Sequence, residues 1–347
     1  MKPRILSTAR LSFPLASAIA ALFAAQSMHA ANLWDGGAGT GAWNTANNWD
    51  NNIVPVANAT LTFAGNVQNS TSNDTTANRQ YNGFLFTNNG AGSNTNAFTL
   101  AGNSITLGGN ITTTANTAGT TITDIISLNM ILNGDRTITT NQLSAAVQHN
   151  LNISGIISSS AAYGLTKAGA GTLNLSGANT YTGATTLGTA GSLTSGGLLT
   201  VSGTAGTINA SSGYTINGSG SRLLLDNTDG NVDRLKDANG VTLNYGGELS
   251  LTGNSTSNST ETIASLSLGT GSSIVTVASA ASRVSTLAVT GGIPAPTSPP
   301  RSCVAPRSTR AQAPTSAASL WEPRRRELIL SAPTHLLAVP PMIAHRR

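Results

Sequence analysis

Apolar residues in this chain alternate with small polar ones over short stretches, and a five-residue cell recurs: apolar, small polar, apolar, small, Gly. It reads Phe98-Thr-Leu100-Ala-Gly102, Ile105-Thr-Leu107-Gly-Gly109, Leu151-Asn-Ile153-Ser-Gly155 and Leu173-Asn-Leu175-Ser-Gly177. It returns as Leu199-Thr-Val201-Ser-Gly203, Tyr214-Thr-Ile216-Asn-Gly218, Leu249-Ser-Leu251-Thr-Gly253 and Leu287-Ala-Val289-Thr-Gly291. A period of two predicts strands with one buried face, and the closing glycine permits a positive-φ turn. No 3.6-residue period with charged faces persists, as expected where only 9% of residues are charged.

The cells recur at irregular intervals, with a preferred unit of about 20–25 residues, too small to bury its own apolar face. Stacked units would bury one continuous core, which is the logic of a β-solenoid. Uncharged Asn, Ser and Thr suit such a stack. Like side chains then lie about 4.8 Å apart, where amides can hydrogen-bond and like charges would repel. No proline occurs between Pro55 and Pro294, which fits strands bonded on both edges. At about 20 residues per coil, 31–292 would form roughly 13 coils and a rod of about 60 Å. An antiparallel sandwich is the competing architecture, and disorder is disfavoured by the regular aliphatic pairs.

Composition divides the chain. All 37 glycines lie at or before Gly292, whereas ten of the 13 prolines lie after it. Residues 293–347 therefore read as a Pro/Arg-rich tail, disordered or frame-shifted, foreign to the body. The net charge of +5 also divides: 1–30 carry +3, 31–292 carry −4 and the tail +6. The basic overall balance thus implies no nucleic-acid partner for the body. At the other end, Lys2, Arg4 and Arg10 precede an apolar run at 11–23 and small residues up to Ala30 and Ala31. Residues 1–30 read as a secretory signal peptide. That run is too short to span a bilayer, is broken by Pro14, and no later stretch is long enough. The sole cysteine, Cys303, lies in the tail, so the body has neither a disulfide nor a cysteine site.

The stretch 164–183, GLTKAGAGTLNLSGANTYTG, continued by Ala184, Thr185, Thr186 and Leu187, resembles the autotransporter-associated β-strand repeat. That repeat runs roughly L-x-K-x-G-x-G-T-L-x-L-S-G-x-N-T-Y-T-G. The likeness is strong at 164–187 and looser over the rest of 31–292. The opening around Trp34, Trp43 and Trp49 is similar to the first segment of large exported members. The resemblance implies an all-β, right-handed parallel β-helix of the passenger type. It implies an exported protein, extracellular or on the cell surface in association with the outer membrane, with the periplasm as the other location. Neither a membrane β-barrel nor a C-terminal sorting segment, as found in larger members, is recognisable in 293–347. The expected organisation is signal peptide 1–30, tryptophan-containing cap 31–60, solenoid 61–292 with the repeat at 164–187, and tail 293–347.

Within the repeat, Lys167 precedes a Gly169-x-Gly171 turn. Asn179 can close an Asx-turn or begin an amide ladder. Tyr181 can cover a coil with its ring and keep its hydroxyl wet. Chemistry is sparse. His149, the body's one histidine, has no acid close by in sequence and reads as a surface or turn residue. The run Asp226, Asp229, Asn231, Asp233 invites a weak calcium loop. It fails the EF-hand register, which would place Leu225 where an aspartate is required, and Arg234 and Lys236 interrupt it. A solvated turn is the plainer reading. That run is also the only cluster able to serve a glycan-cleaving enzyme, which needs carboxylates on adjacent coils. Trp34, Trp43 and Trp49 could stack on sugars or cap the first coil's apolar end. The Arg324-Arg325-Arg326 patch would bind anions without specificity.

No catalytic, cofactor-binding or metal residue is assigned. The sequence points to an exported structural β-solenoid, a surface stalk or adhesin-type protein without catalysis, using no cofactor. The alternative is a secreted carbohydrate-active enzyme or a glycan-binding β-helix. A glycan or a cell-surface component is the expected partner class; nucleic acid is not, and the oligomeric state is left open.

Overall fold

A computed structural model describes residues 32–87, 97–115, 119–189, 195–280, 282–291 and 327–329. The signal peptide at 1–30 and all of the tail except 327–329, including Cys303 and the Arg324 patch, lie outside the described residues. The body is an all-β parallel solenoid of about nine turns.

Two walls run along it. The first stacks, among others, Asn32–Trp34, Leu61–Phe63, Arg79–Phe86, Ile105–Thr113, Arg136–Thr139 and Leu165–Ala168. It continues through Thr185–Leu187, Tyr214–Asn217, Val241–Asn244 and Leu266–Leu268. The second runs from Ser70–Asn73 through Thr99–Gly102, Ile122–Ile126, Val147–Ile153, Thr172–Leu175 and Leu198–Val201. Arg222–Asp226, Glu248–Thr252 and Ile274–Ala278 complete it. A third, less regular wall closes the coil. Its pairings include Met130–Leu132 with Ile157–Ser159 and Ser259–Ile263 with Ser285–Val289, all parallel. Where regular pairing lapses there, single bonds keep the stack, such as Thr180 N–H to the Ile157 carbonyl at 2.8 Å.

The irregular spacing of the five-residue cells now has a cause: they occupy different walls. Leu151, Leu173, Leu199, Leu223 and Leu249 succeed one another on the second wall, while Tyr214 and Val241 do so on the first. The coil length and coil count expected from the sequence are therefore corrected. Leu165 pairs with Thr185 across the short coil of the repeat, but the step from Thr185 to its own partner Tyr214 is markedly longer. Most coils take the longer path because their corners are longer: the repeat turns from Ala168 to Thr172, whereas the next coil turns from Leu187 to Leu198. The stack is accordingly shorter, rising roughly 45 Å at ~4.8 Å per coil.

One apolar column fills the interior. Its aliphatic part includes Leu173, Leu175, Leu199, Val201, Leu223 and Leu225, all fully buried. At the N-terminal end the column is aromatic. Trp34, Trp43 and Trp49 have no exposed surface, and Trp34 and Trp49 meet edge to face at 5.1 Å. The indole N–H of Trp43 is satisfied by Thr71 Oγ1 at 2.9 Å, and that of Trp49 by the Trp43 carbonyl at 2.8 Å. Trp34 donates to the Gln68 carbonyl at 3.1 Å. A sugar-stacking role for these three rings is therefore overturned; they seal the end of the column. Trp49 forms an antiparallel bridge to Trp34, and Asp50 accepts the Leu33 N–H at 2.9 Å, so the first strand's outer edge is covered. At the opposite end, Glu327–Ile329 lies antiparallel along Ile274–Ala278. This short strand of the tail lies on the edge that offers unpaired backbone groups.

Trp43→Ala should remove the centre of this seal at a cost of about 3–5 kcal/mol. Chemical denaturation would show the loss as a lower midpoint; an unchanged midpoint would mean the aromatic block is dispensable.

Candidate functional site

The repeat segment forms one coil and its corners. In Leu165–Ala168 the alternation turns Leu165 and Lys167 inward. Lys167 is buried, yet its ammonium is fully used: Nζ donates to the carbonyls of Ala168 (2.7 Å), Gly169 (2.7 Å) and Gly196 (2.8 Å). Burial pushes its pKa down to about 7, while three carbonyl oxygens around the ammonium favour its charged form. Gly169 has a φ of +74°, and a Cβ there would stand 2.3 Å from the Thr140 carbonyl oxygen. The Lys-x-Gly-x-Gly pattern is thus a corner stitched to the next coil by a cation.

Asn179 ties three coils together. Its Oδ1 accepts the Ile157 N–H at 2.9 Å, and its Nδ2 donates to Gly177 and Thr207 carbonyls at 2.9 and 3.0 Å. Tyr181 corrects an expectation: its hydroxyl is not wet. The residue is buried, and its oxygen lies 2.7 Å from Thr185 Oγ1. Burial pushes the phenol's pKa up. Outward amides also form a ladder, Asn174 Nδ2 donating to Asn152 Oδ1 at 3.1 Å and Ser202 to Asn174 Oδ1 at 2.7 Å.

His149 is not at the surface. It continues the inward row of Val147–Ile153 with Leu151 and Ile153 and is 3% exposed. Stacking brings Asp124, from the coil before, within 2.6 Å of Nε2, and Nδ1 lies 2.8 Å from the Thr114 carbonyl. Asp124 also accepts the Phe98 N–H at 2.8 Å. Both ring nitrogens face acceptors, and neither group is open to a substrate.

The acidic run divides in the same way. Asp226 accepts the Thr228 N–H and hydroxyl, and Asn231 accepts the Asp233 N–H, all local turn bonds. Asp229, Asp233, Lys236 and Asp237 are exposed. Arg234 is not: it is wholly buried beneath the turn. Its guanidinium donates to Asn227 Oδ1 at 2.7 Å, to the Gly206 carbonyl at 2.6 Å, and to the Gly203 and Asp226 carbonyls. From the next coil, Glu261 accepts the N–H groups of Arg234 and Leu235 at 3.1 and 2.8 Å. Burial pushes the Glu261 carboxyl up to about 7. Arg234 takes the carbonyls beneath the turn, the side chains of Asp226 and Asn231 are engaged in local turn bonds, and no group of three or more metal-ligating side chains occurs among the described residues. Sequence reasoning missed both Asp124–His149 and Arg234–Glu261. The available signal was separation along the chain, since the members of each pair stand close to one coil apart.

Among the described residues no helix is long and apolar enough to cross a membrane. Residues 165–194 match the family model described as the passenger-associated-transport-repeat. No curated protein and no solved structure matches the chain. The repeat and the solenoid fit an autotransporter passenger-type β-helix repeat protein, with a structural, passenger-like domain. That repeat implies an exported, surface-associated protein, and the fold is compatible with a non-catalytic stalk.

Lys167→Met should leave the Gly169 and Gly196 carbonyls without a donor, while Ala168 keeps the Thr140 N–H, costing about 2 kcal/mol or more. Urea unfolding would report it, and a midpoint equal to that of the parent would refute the stitch. Glu261 predicts a pH dependence. Its folded pKa is raised above 4.5 to about 7, so its stabilising contribution is complete below 4.5 and is lost as pH rises through 7. The melting temperature should therefore fall between pH 5 and pH 8, and Glu261→Gln should flatten that slope.

Proposed function

We propose that this protein is an exported structural β-solenoid, a passenger-like stalk of adhesin type at the cell surface, without catalytic activity. The observation that carries the reading is the commitment of ionisable side chains to the stack. Lys167, Arg234, Glu261, Asp124 and His149 are all buried and bonded between coils or at their corners. A hydrolase or lyase would need carboxylates or a base facing a groove from neighbouring coils. Of the exposed acids, Asp229, Asp233 and Asp237 sit on one turn of one coil, Asp35, Asp74 and Asp135 belong to other coils, and no three acids gather at one site among the described residues.

The function is geometric. Each coil lifts the next by one strand spacing, so the stack holds its faces and loops away from whatever bears it. A glycan or another cell-surface component is the partner class such a surface would meet. No cofactor or metal enters the reading.

Treating intact cells of the producing organism with an external protease should remove the protein before any periplasmic marker. Protection until the outer membrane is opened would place it in the periplasm and sink the stalk reading. Reproducible turnover of a polysaccharide by the purified protein, abolished by Asp229→Asn and Asp233→Asn, would sink the non-catalytic part.

A further inference from the structure

The outward face of the first wall carries a column of hydroxyls that begins at Thr137, in sequence next to Arg136, and continues over the last five rungs. The central residue of each rung is Thr166, Thr186, Thr215, Thr242 and then Ser267, in strict register. Each lies between inward neighbours in the alternation of its strand, so its side chain points out. One hydroxyl thus stands on each coil, about 4.8 Å above the last. The row beside it is as regular: Gly164, Ala184, Gly213, Gly240 and Ser265. Their carbonyls are linked coil to coil by bonds such as Leu165 N–H to Ala184 at 2.9 Å and Val241 N–H to Ser265 at 2.9 Å. The result is a flat strip of hydroxyls with a low margin, bearing no ionisable and no large side chain.

Strand propensity alone does not account for it. Threonine suits any exposed strand position, yet on the second wall the matching central column reads Asn174, Thr200, Leu224, Ser250, Thr276 and the column beside it Leu198, Arg222, Glu248, Ile274. Outward positions of this solenoid therefore accept large and charged residues. The hydroxyls also differ in use. On the second wall, Asn152, Asn174, Ser202 and Thr172 bond to one another or to Gln148. The five hydroxyls of the first wall have no hydrogen-bond partner among the described residues.

We propose that this strip binds a neutral, extended β-linked polysaccharide chain lying along the solenoid axis. Each free hydroxyl can donate and accept, as sugar hydroxyls do. The advance per coil is close to that of one hexose along such a chain, so successive sugars meet successive rungs. The absence of charge removes any advantage for an acidic polymer or a nucleic acid, and the absence of aromatic or large aliphatic groups removes the anchors of a protein interface. This rests on the surface-stalk reading and gives it a ligand.

The test is retention of the purified mature chain on microcrystalline cellulose, with polygalacturonate as the acidic control. The chain should bind cellulose and not polygalacturonate. Thr186→Val, Thr215→Val and Thr242→Val combined keep β-branched shape while deleting hydroxyls. The triple variant should lose at least tenfold in affinity with unchanged circular dichroism and melting temperature. Thr215→Val alone should lose less, and Thr200→Val on the second wall should lose nothing. Absence of cellulose binding by the parent chain, or equal binding by the triple variant, would overturn the proposal. So would a parent dimer that the triple variant dissociates, which would assign the strip to a second copy. A chain that is displayed on cells yet fails to bind overturns this inference and leaves the stalk standing.

Discussion

Everything in this molecule depends on the backbone ladder that runs from coil to coil. A rung's N–H and C=O groups are bonded to the rungs before and after it, so each coil is both supported and supporting. The ladder dictates the composition. Proline, which cannot donate, is absent from 56 to 293. Outward positions favour side chains that tolerate a copy of themselves one strand spacing away. Inward positions are aliphatic, and the few inward polar groups must find partners in adjacent coils.

That last constraint explains the buried charges. Lys167 and Arg234 behave alike despite their different heads: each turns into the stack near a corner and gathers several carbonyl oxygens at the bend. Glu261 performs the converse task, collecting two orphaned N–H groups. Asp124 and His149 satisfy one another and two backbone groups. Corners are where a solenoid's ladder is weakest, and this chain fills those gaps with side chains whose hydrogen-bonding capacity matches the number of groups left over.

Much of this was legible in the sequence, because it is periodic. The alternation gave the strands, the glycines gave the turns, and Gly164 to Leu187 carried enough of a motif to place Lys167 and Asn179 in structural roles. What was not legible depends on coil length. A mean unit inferred from cells scattered over three walls understates the path around one coil, so the stack is shorter than that unit implies. The same blindness hid His149 from Asp124 and misread Tyr181, whose hydroxyl meets Thr185 only once the chain has turned. The strip of free hydroxyls from Thr166 to Ser267 was likewise invisible, because only the register of successive rungs brings those residues into line.

The two ends of the stack are unequal. Three interlocked tryptophans finish one, whereas Leu268, Leu287 and Val289 near the other are only partly covered. A chain pulled from both sides therefore gives way where its last turns hold least surface in common, peeling from the carboxyl end one layer at a time. Shear at a cell boundary would shorten such a fibre stepwise and spare its indole plug until last.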